Sequence, residues 1–397
     1  MARILFVNTR YRPPYFRGGV ERYIHVVAGA FRRMGHDSHI VALEEALPCE
    51  SDIPRTFFNV PRIPFLRPLL LSWMGRRLWK SADAIVLQYT PFGLLMPKGK
   101  LICTVHTTGY GEAMGLKQTA TRDRWRWWKR ARRHISTPLE RLVFHRAQRI
   151  IAISDQIASE LVDAYGVPRD KIVVVGNGVD CDEFHPGSEH KGRVPLRVLY
   201  VGRLAPRKNV DVLLKAVERS TAELTVRIAG AGPELERLRA MTDALRIRER
   251  VSFLGFRAGR DLLTEYQWAD VLVMPSSYEG LPLVALEAKA AGLPIIAANF
   301  PGARKIISSA SGWVIGDMTP DTLSHTLDEI GRDSAALSAM GASARREAVA
   351  DYSWDALVRT LAGQYEVVAS GATDGFGNSR DRIGYACGNK QVSRRTT

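Results

Sequence analysis

Two carboxylates eight positions apart, Glu279 and Glu287, lie in Pro275-Ser-Ser-Tyr-Glu-Gly-Leu-Pro-Leu-Val-Ala-Leu-Glu-Ala-Lys-Ala-Ala-Gly292. Carboxylates accept hydrogen bonds from hydroxyl groups. A helix amino end attracts anions because its first amide hydrogens lack partners. The two features fall together here. The apolar run Val271–Met274 reads as a short, buried parallel strand. A turn follows, then a helix opening near Pro282, since proline suits the first helical position. Leu283, Leu286 and Ala290 share one apolar stripe, and Gly292 with Pro294 closes the helix. Glu279 is therefore expected on a strand-to-helix loop and Glu287 inside the helix. In an open α/β sheet that loop is where ligands bind, and Gly280 leaves room for close approach to its backbone. Hydroxyl-binding carboxylates beside an anion site suit a sugar nucleotide.

A cationic element accompanies them. Gly202-Arg-Leu-Ala-Pro-Arg-Lys-Asn209 directly follows an expected strand, Arg197–Val201. Breaking a bond to a nucleotide diphosphate leaves a dianion that must be stabilised as its charge develops. Arg203 can offer a planar fork to phosphate oxygens and Lys208 a point charge. Gly18-Gly19 closes the first strand-to-helix loop, and Ala229-Gly-Ala-Gly-Pro233 makes a similar turn later, although tight packing alone would also explain its glycines. His106 ends the expected strand Leu101–Val105, and Phe256 follows Phe253-Leu-Gly. Phe256 fits a nucleobase neighbour and a core residue equally well.

Taken together, Glu279–Gly292, Gly202–Asn209 and Gly18-Gly19 resemble the Glu-x7-Glu, Gly-Arg-Leu-x-x-x-Lys-Gly/Asn and Gly-Gly loop elements of the family-4 retaining glycosyltransferases (glycosyl transferases group 1). The likeness runs from about residue 3 to about residue 365. It implies the α/β GT-B fold, with two doubly wound parallel-sheet domains facing across a cleft. Glu279 would hold donor-sugar hydroxyls and Glu287 the ribose. Gly18, Gly19, Gly230, Phe256, Gly280 and Leu281 would surround a UDP- or GDP-linked donor. Arg203 and Lys208 would stabilise the leaving diphosphate, whose phosphate would help deprotonate the acceptor in a front-face attack. His106 would steady a sugar hydroxyl or the partly positive anomeric region rather than act as general base. The resemblance implies no metal and no cofactor beyond the donor, because cations and helix ends take over a metal's role. One departure stands out. Pro301-Gly-Ala-Arg-Lys305 occupies the place of a Gly-Gly-x-x-Glu element in many relatives, so Lys305 reverses a charge.

The elements that must position these residues follow from length and periodicity. A chain of 397 residues exceeds one ordinary core. Apolar runs alternate with helical patterns throughout, which implies parallel sheets covered on both faces. The polar stretch Phe184–Pro195 marks the boundary. The expected domains are 1–185, binding acceptor, and 186–369, binding the nucleotide sugar, with a last helix around Ser353–Val368 crossing back and 370–397 as a disordered tail. The short apolar start reads as a first strand, not a signal peptide, and no apolar stretch approaches bilayer length. Four scattered cysteines fit a reducing cytoplasm.

The net charge of +15 is uneven. Residues 1–190 carry 28 Lys+Arg against 18 Asp+Glu, whereas residues 191–360 carry 23 against 20. Residues 117–149 hold eleven cations and two acids, with Trp125, Trp127 and Trp128 interleaved. Arg62–Lys80 mixes aliphatics, tryptophan and cations without an acid. Such a surface suits an anionic membrane; the ordinary alternative is a solvated basic helix with its tryptophans in the core. Nucleic acid ranks last, for want of a recognition module. The reading is a cytoplasmic retaining hexosyltransferase, peripheral on the inner face of the plasma membrane, that uses a glycan or lipid-linked acceptor in cell-envelope or exopolysaccharide synthesis. Its rivals are a transferase making a small soluble glycoside and a non-catalytic sugar-nucleotide-binding protein.

Overall fold

The computed structural model describes residues 1–9, 11, 19–43, 52–60, 66–88, 90–111, 137–187, 194–332 and 334–371. The basic stretch 117–136, Gly18 and the tail from 372 lie outside the described residues. The first sheet is built from β1 (Arg3–Asn8), β2 (Asp37–Ala42), β3 (Arg55–Phe57), β4 (Ala84–Leu87), β5 (Leu101–Val105), β6 (Arg149–Ala152) and β7 (Ile172–Val174). Their spatial order is β3-β2-β1-β4-β5-β6-β7. The second contains β8 (Leu196–Val201), β9 (Leu224–Ala229), β10 (Val251–Gly255), β11 (Val271–Met274), β12 (Ile295–Ala298) and β13 (Gly312–Ile315), ordered β10-β9-β8-β11-β12-β13. Every pairing is parallel.

The strands are aliphatic on both faces because helices cover both. Along β1, Ile4 and Phe6 enter one core with Ile24, Val27 and Phe31 of the helix Gly19–Arg33. Leu5 and Val7 enter the opposite one with Leu71, Trp79, Phe144 and Leu161, as the two-residue period of a strand requires. The apolar pattern does not signal β3, because Arg55-Thr-Phe57 is a three-residue, half-buried edge strand. The helix after β11 begins at Leu283, with Pro282 extended just before it, so the proline is the cap and not the first helical residue. Within Arg62–Lys80 the tryptophans divide. Trp79 is a core residue, and its Nε1 donates to Ser72 O at 3.1 Å, while Trp73 is 64% exposed. Among the described residues no helix is long and apolar enough to cross a membrane.

Val175 packs in the first domain, whereas Val179 and Phe184 pack in the second. The chain returns beside this crossing, where Val179 N donates to Tyr352 O at 2.8 Å. The final helix, Trp354–Ala369, then lies on the first domain. Trp354, Leu357, Val358, Leu361, Tyr365 and Val368 fall on one helical stripe and are all buried there. At about 1.5–3 kcal/mol for each large apolar side chain, this burial holds the crossing helix firmly.

Strand order decides where a site forms. In the first sheet, the direction in which successive strands are added reverses between β1 and β4, and in the second between β8 and β11. Loops leaving the carboxyl ends of such neighbours diverge and open a crevice. In the second domain those two loops are 202–209 and 275–282.

Candidate active site

The two loops at the second domain's switch point are stitched together. Gly202 N donates to Ala229 O and Leu204 N to Ala231 O, both at 3.0 Å. A Cβ at Gly230 would run into the Gly202 carbonyl, and one at Gly232 into that of Leu204. These glycines therefore have a packing reason, supporting the loop that carries the cations. Asn209 turns through the left-handed region (φ 49°), and its Nδ2 donates to Pro275 O at 3.0 Å. Arg207 Nη1 donates to Tyr278 O at 3.0 Å, and Ser277 N to Arg207 O at 3.1 Å.

This stitching delivers the chemistry. Lys208 Nζ donates to Glu279 Oε1, and Arg207 Nη1 stands 3.7 Å from Glu279 Oε2. Glu279 is 7% exposed. Burial pushes its carboxyl up, but the Lys208 and Arg207 charges, with hydrogen bonds from Lys208 and Ser276, outweigh it and hold the group below the usual range. Arg203, on the same loop, is exposed and anchored through its backbone, where Tyr200 Oη donates to Arg203 O at 3.2 Å.

The first domain supplies the facing wall. His106 follows β5 directly, and its Nε2 donates to Gln88 Oε1 at 2.7 Å. Tyr23 meets the imidazole edge-on at 4.9 Å. Burial pulls the His106 pKa down to about 4, so the ring is neutral at physiological pH. A Cβ on Gly280 would collide with the His106 carbonyl, so the missing side chain lets the two domains touch at this point. Gly19, at the start of its helix, likewise leaves about 3.0 Å between a built Cβ and Leu283 Cδ1. Leu281 packs against cores of both domains, and its carbonyl accepts from Asn177 Nδ2 at 2.6 Å.

Glu287 sits deeper. Its Oε1 accepts from Arg22 Nη1 at 3.0 Å and its Oε2 from Tyr266 Oη at 2.8 Å. Burial pushes this carboxyl up, and Arg22 and Tyr266 only partly offset it. Arg22 comes from the first domain, also pairs with Glu183, and lies over the Phe184 ring at 4.6 Å. A further cross-domain bond joins Tyr278 Oη to Glu160 Oε2 at 3.3 Å. Lys305 pairs with Asp155 of the first domain at the surface. Phe256 is 45% exposed after β10, so it is not a core residue.

The structure thus gathers Lys208, Glu279, Gly280 and His106 at one place, with Glu287, Leu281 and Gly19 along the same crevice, while Gly230 acts from behind the cationic loop. Arg207 is an addition that the neighbouring Lys208 could have signalled. Arg22, Tyr266 and Glu160 carry no local signal, because their partners are 265, 21 and 118 residues away.

Two doubly wound parallel domains meeting at their switch points define the GT-B class of glycosyltransferase. Solved structures of that shape align along nearly the whole chain. Sucrose-phosphate synthase from Thermosynechococcus elongatus gives a TM-score of 0.77 at 19% identity, over 93% of this chain and 100% of that one. Anabaena HepE in complex with UDP-glucose gives 0.73 at 17%, over 92% and 100%. Residues 17–183 match Glycosyltransferase Family 4 and residues 182–347 match Glycosyl transferases group 1. The chain belongs to this family of glycosyltransferases. An uncharacterized glycosyltransferase of Methanocaldococcus jannaschii is 27% identical over 92% of this chain and 98% of its own. The GDP-mannose-dependent alpha-(1-6)-phosphatidylinositol monomannoside mannosyltransferase of Mycobacterium tuberculosis is 27% identical over 91% and 97%.

Proposed function

We propose that the protein transfers a hexose, with retention and without a metal ion, from a UDP- or GDP-linked donor to a glycan or lipid-linked glycan acceptor in cell-envelope or exopolysaccharide synthesis. The observation that carries this reading is the buried Glu279 held by Lys208 and Arg207, with the adjoining Gly280 against the His106 carbonyl of the other domain. Without ligand, the cations compensate the carboxylate. When the donor binds, its diphosphate takes the positive charge of Lys208, Arg207 and Arg203, and Glu279 turns its oxygens to sugar hydroxyls. As the anomeric bond breaks, these cations stabilise the leaving dianion, which accepts the acceptor's proton on the same face. His106, neutral and aligned by Gln88, steadies the sugar beside the reacting carbon. Glu287 receives the ribose hydroxyls once Arg22 yields one of its oxygens.

The donor classes named for the relatives, GDP-mannose and UDP-glucose, support a nucleotide diphosphate sugar. Exposed Trp73, the basic amino-terminal half and the phosphatidylinositol-linked acceptor in the mycobacterial relative's name support an acceptor at an anionic membrane surface. The test is transfer from α-linked UDP- and GDP-hexoses to membrane lipid extract and to soluble glycans, with the product's anomeric configuration read by NMR. An α-linked product is expected; a β-linked product overturns retention.

A further inference from the structure

At the amino ends of β5, β6 and β7, on the edge opposite His106, lies a concavity of about 340 Å³ lined by Lys98, Arg146, Gln148, Arg149, Asp170 and Lys171. Its cations are oriented by neutral carbonyls. Lys171 Nζ donates to His145 O at 3.0 Å and Ala147 O at 3.3 Å, at the end of the helix 137–146. Arg146 Nη2 donates to Met96 O at 2.9 Å, and Arg149 Nη1 to Asp170 O at 2.7 Å. Such tethers fix the direction of a positive charge without cancelling it. The lining holds four cations and one carboxylate, that of the exposed Asp170. Arg149 is 5% exposed, and burial pulls its pKa down despite Asp170, a cost that an incoming anion would relieve.

Apolar side chains flank the basin. Leu142, 50% exposed, lies one turn before Arg146 on the same helix. Leu95, 59% exposed, adjoins Met96, whose carbonyl holds Arg146. Exposed aliphatics beside preset cations suit a phosphate carried at a lipid surface as well as a small phosphorylated solute.

We propose that this basin is a second phosphate-binding site, separate from the donor crevice, that takes the phosphate of a phosphomonoester or phosphodiester. It does not depend on the donor-site reading.

The test compares the full chain with Lys98→Glu and with Lys98→Glu/Arg146→Gln. Lys98 is exposed, so its replacement leaves the carbonyl tethers in place, and melting curves with UDP-glucose and GDP-mannose titrations check the fold and the crevice. Binding is measured at low salt to glycerol 3-phosphate by calorimetry and to vesicles of phosphatidylglycerol in phosphatidylcholine by sedimentation. We expect Lys98→Glu to weaken binding severalfold and the double variant at least tenfold, with donor binding unchanged. If only vesicles bind and the double variant loses them, the ligand is a lipid headgroup; if glycerol 3-phosphate also binds, a free phosphate suffices. A wild-type chain that binds neither, or a double variant that binds as wild type does, overturns the site.

Discussion

Glu279 and Glu287 occupy one segment and are almost equally buried, yet their surroundings differ in kind. Glu279 is compensated from within its own domain by Lys208 and Arg207, and its carboxyl is held below the usual range. Glu287 takes its cation, Arg22, from the opposite domain, and burial keeps its carboxyl high. The first pairing is fixed by loops stitched backbone to backbone. The second exists only while the two domains are together. The same residue type is therefore held in two ways: Glu279 by cations of its own domain, and Glu287 by a cation that the facing domain supplies.

The preset side should show the largest response. Lys208→Ala is expected to lower kcat/KM by about 100- to 1,000-fold, the range for removing one donor to developing negative charge. Circular dichroism should stay native, and a loss below about fivefold would contradict the phosphate role. On the facing wall, His106 has a pKa near 4 when folded and an ordinary one near 6.5 when unfolded. Below pH 6.5 the unfolded chain binds the extra proton first, so stability falls as pH drops from 6.5 to 4, by about 3 kcal/mol at most. Urea melts at pH 7 and pH 4 should show that loss in the wild type and a smaller one in His106→Gln. Equal losses would mean that the ring is not desolvated. The smallest effect belongs to the closing side. Arg22→Met should cost about 1–2 kcal/mol, between the limits for exposed and buried pairs, and should raise the radius of gyration in small-angle scattering. An unchanged radius would remove the contrast between the two carboxylates.

The sheets were readable because parallel strands are continuous aliphatic runs. Leu101–Val105 and Val271–Met274 lie where their apolar runs put them. Ser154 caps the helix Asp155–Asp163, accepting from Ile157 N at 3.3 Å. Arg55–Phe57 escaped notice because a short polar edge strand carries no such run. Within the site, residues on loops after strands were legible, since strand order alone brings Lys208 and Glu279 together. Arg22 and Glu160 were not. Their roles arise from how one domain rests on the other, and no local spacing encodes that. The glycines show the same limit from another side: Gly230 and Gly280 could be picked out from the chain, but only the carbonyls of Gly202 and His106 explain why a side chain is forbidden there.

The central claim is that the cations around Glu279 grip a sugar-linked diphosphate. Its most direct test is calorimetric titration of the wild type and Lys208→Ala with UDP-glucose, GDP-mannose and the corresponding free hexoses. We expect at least one nucleotide sugar to bind the wild type, the free hexoses not to bind, and the variant to lose tenfold or more in affinity. Equal affinity in both proteins, or no nucleotide sugar bound by the wild type, would contradict it.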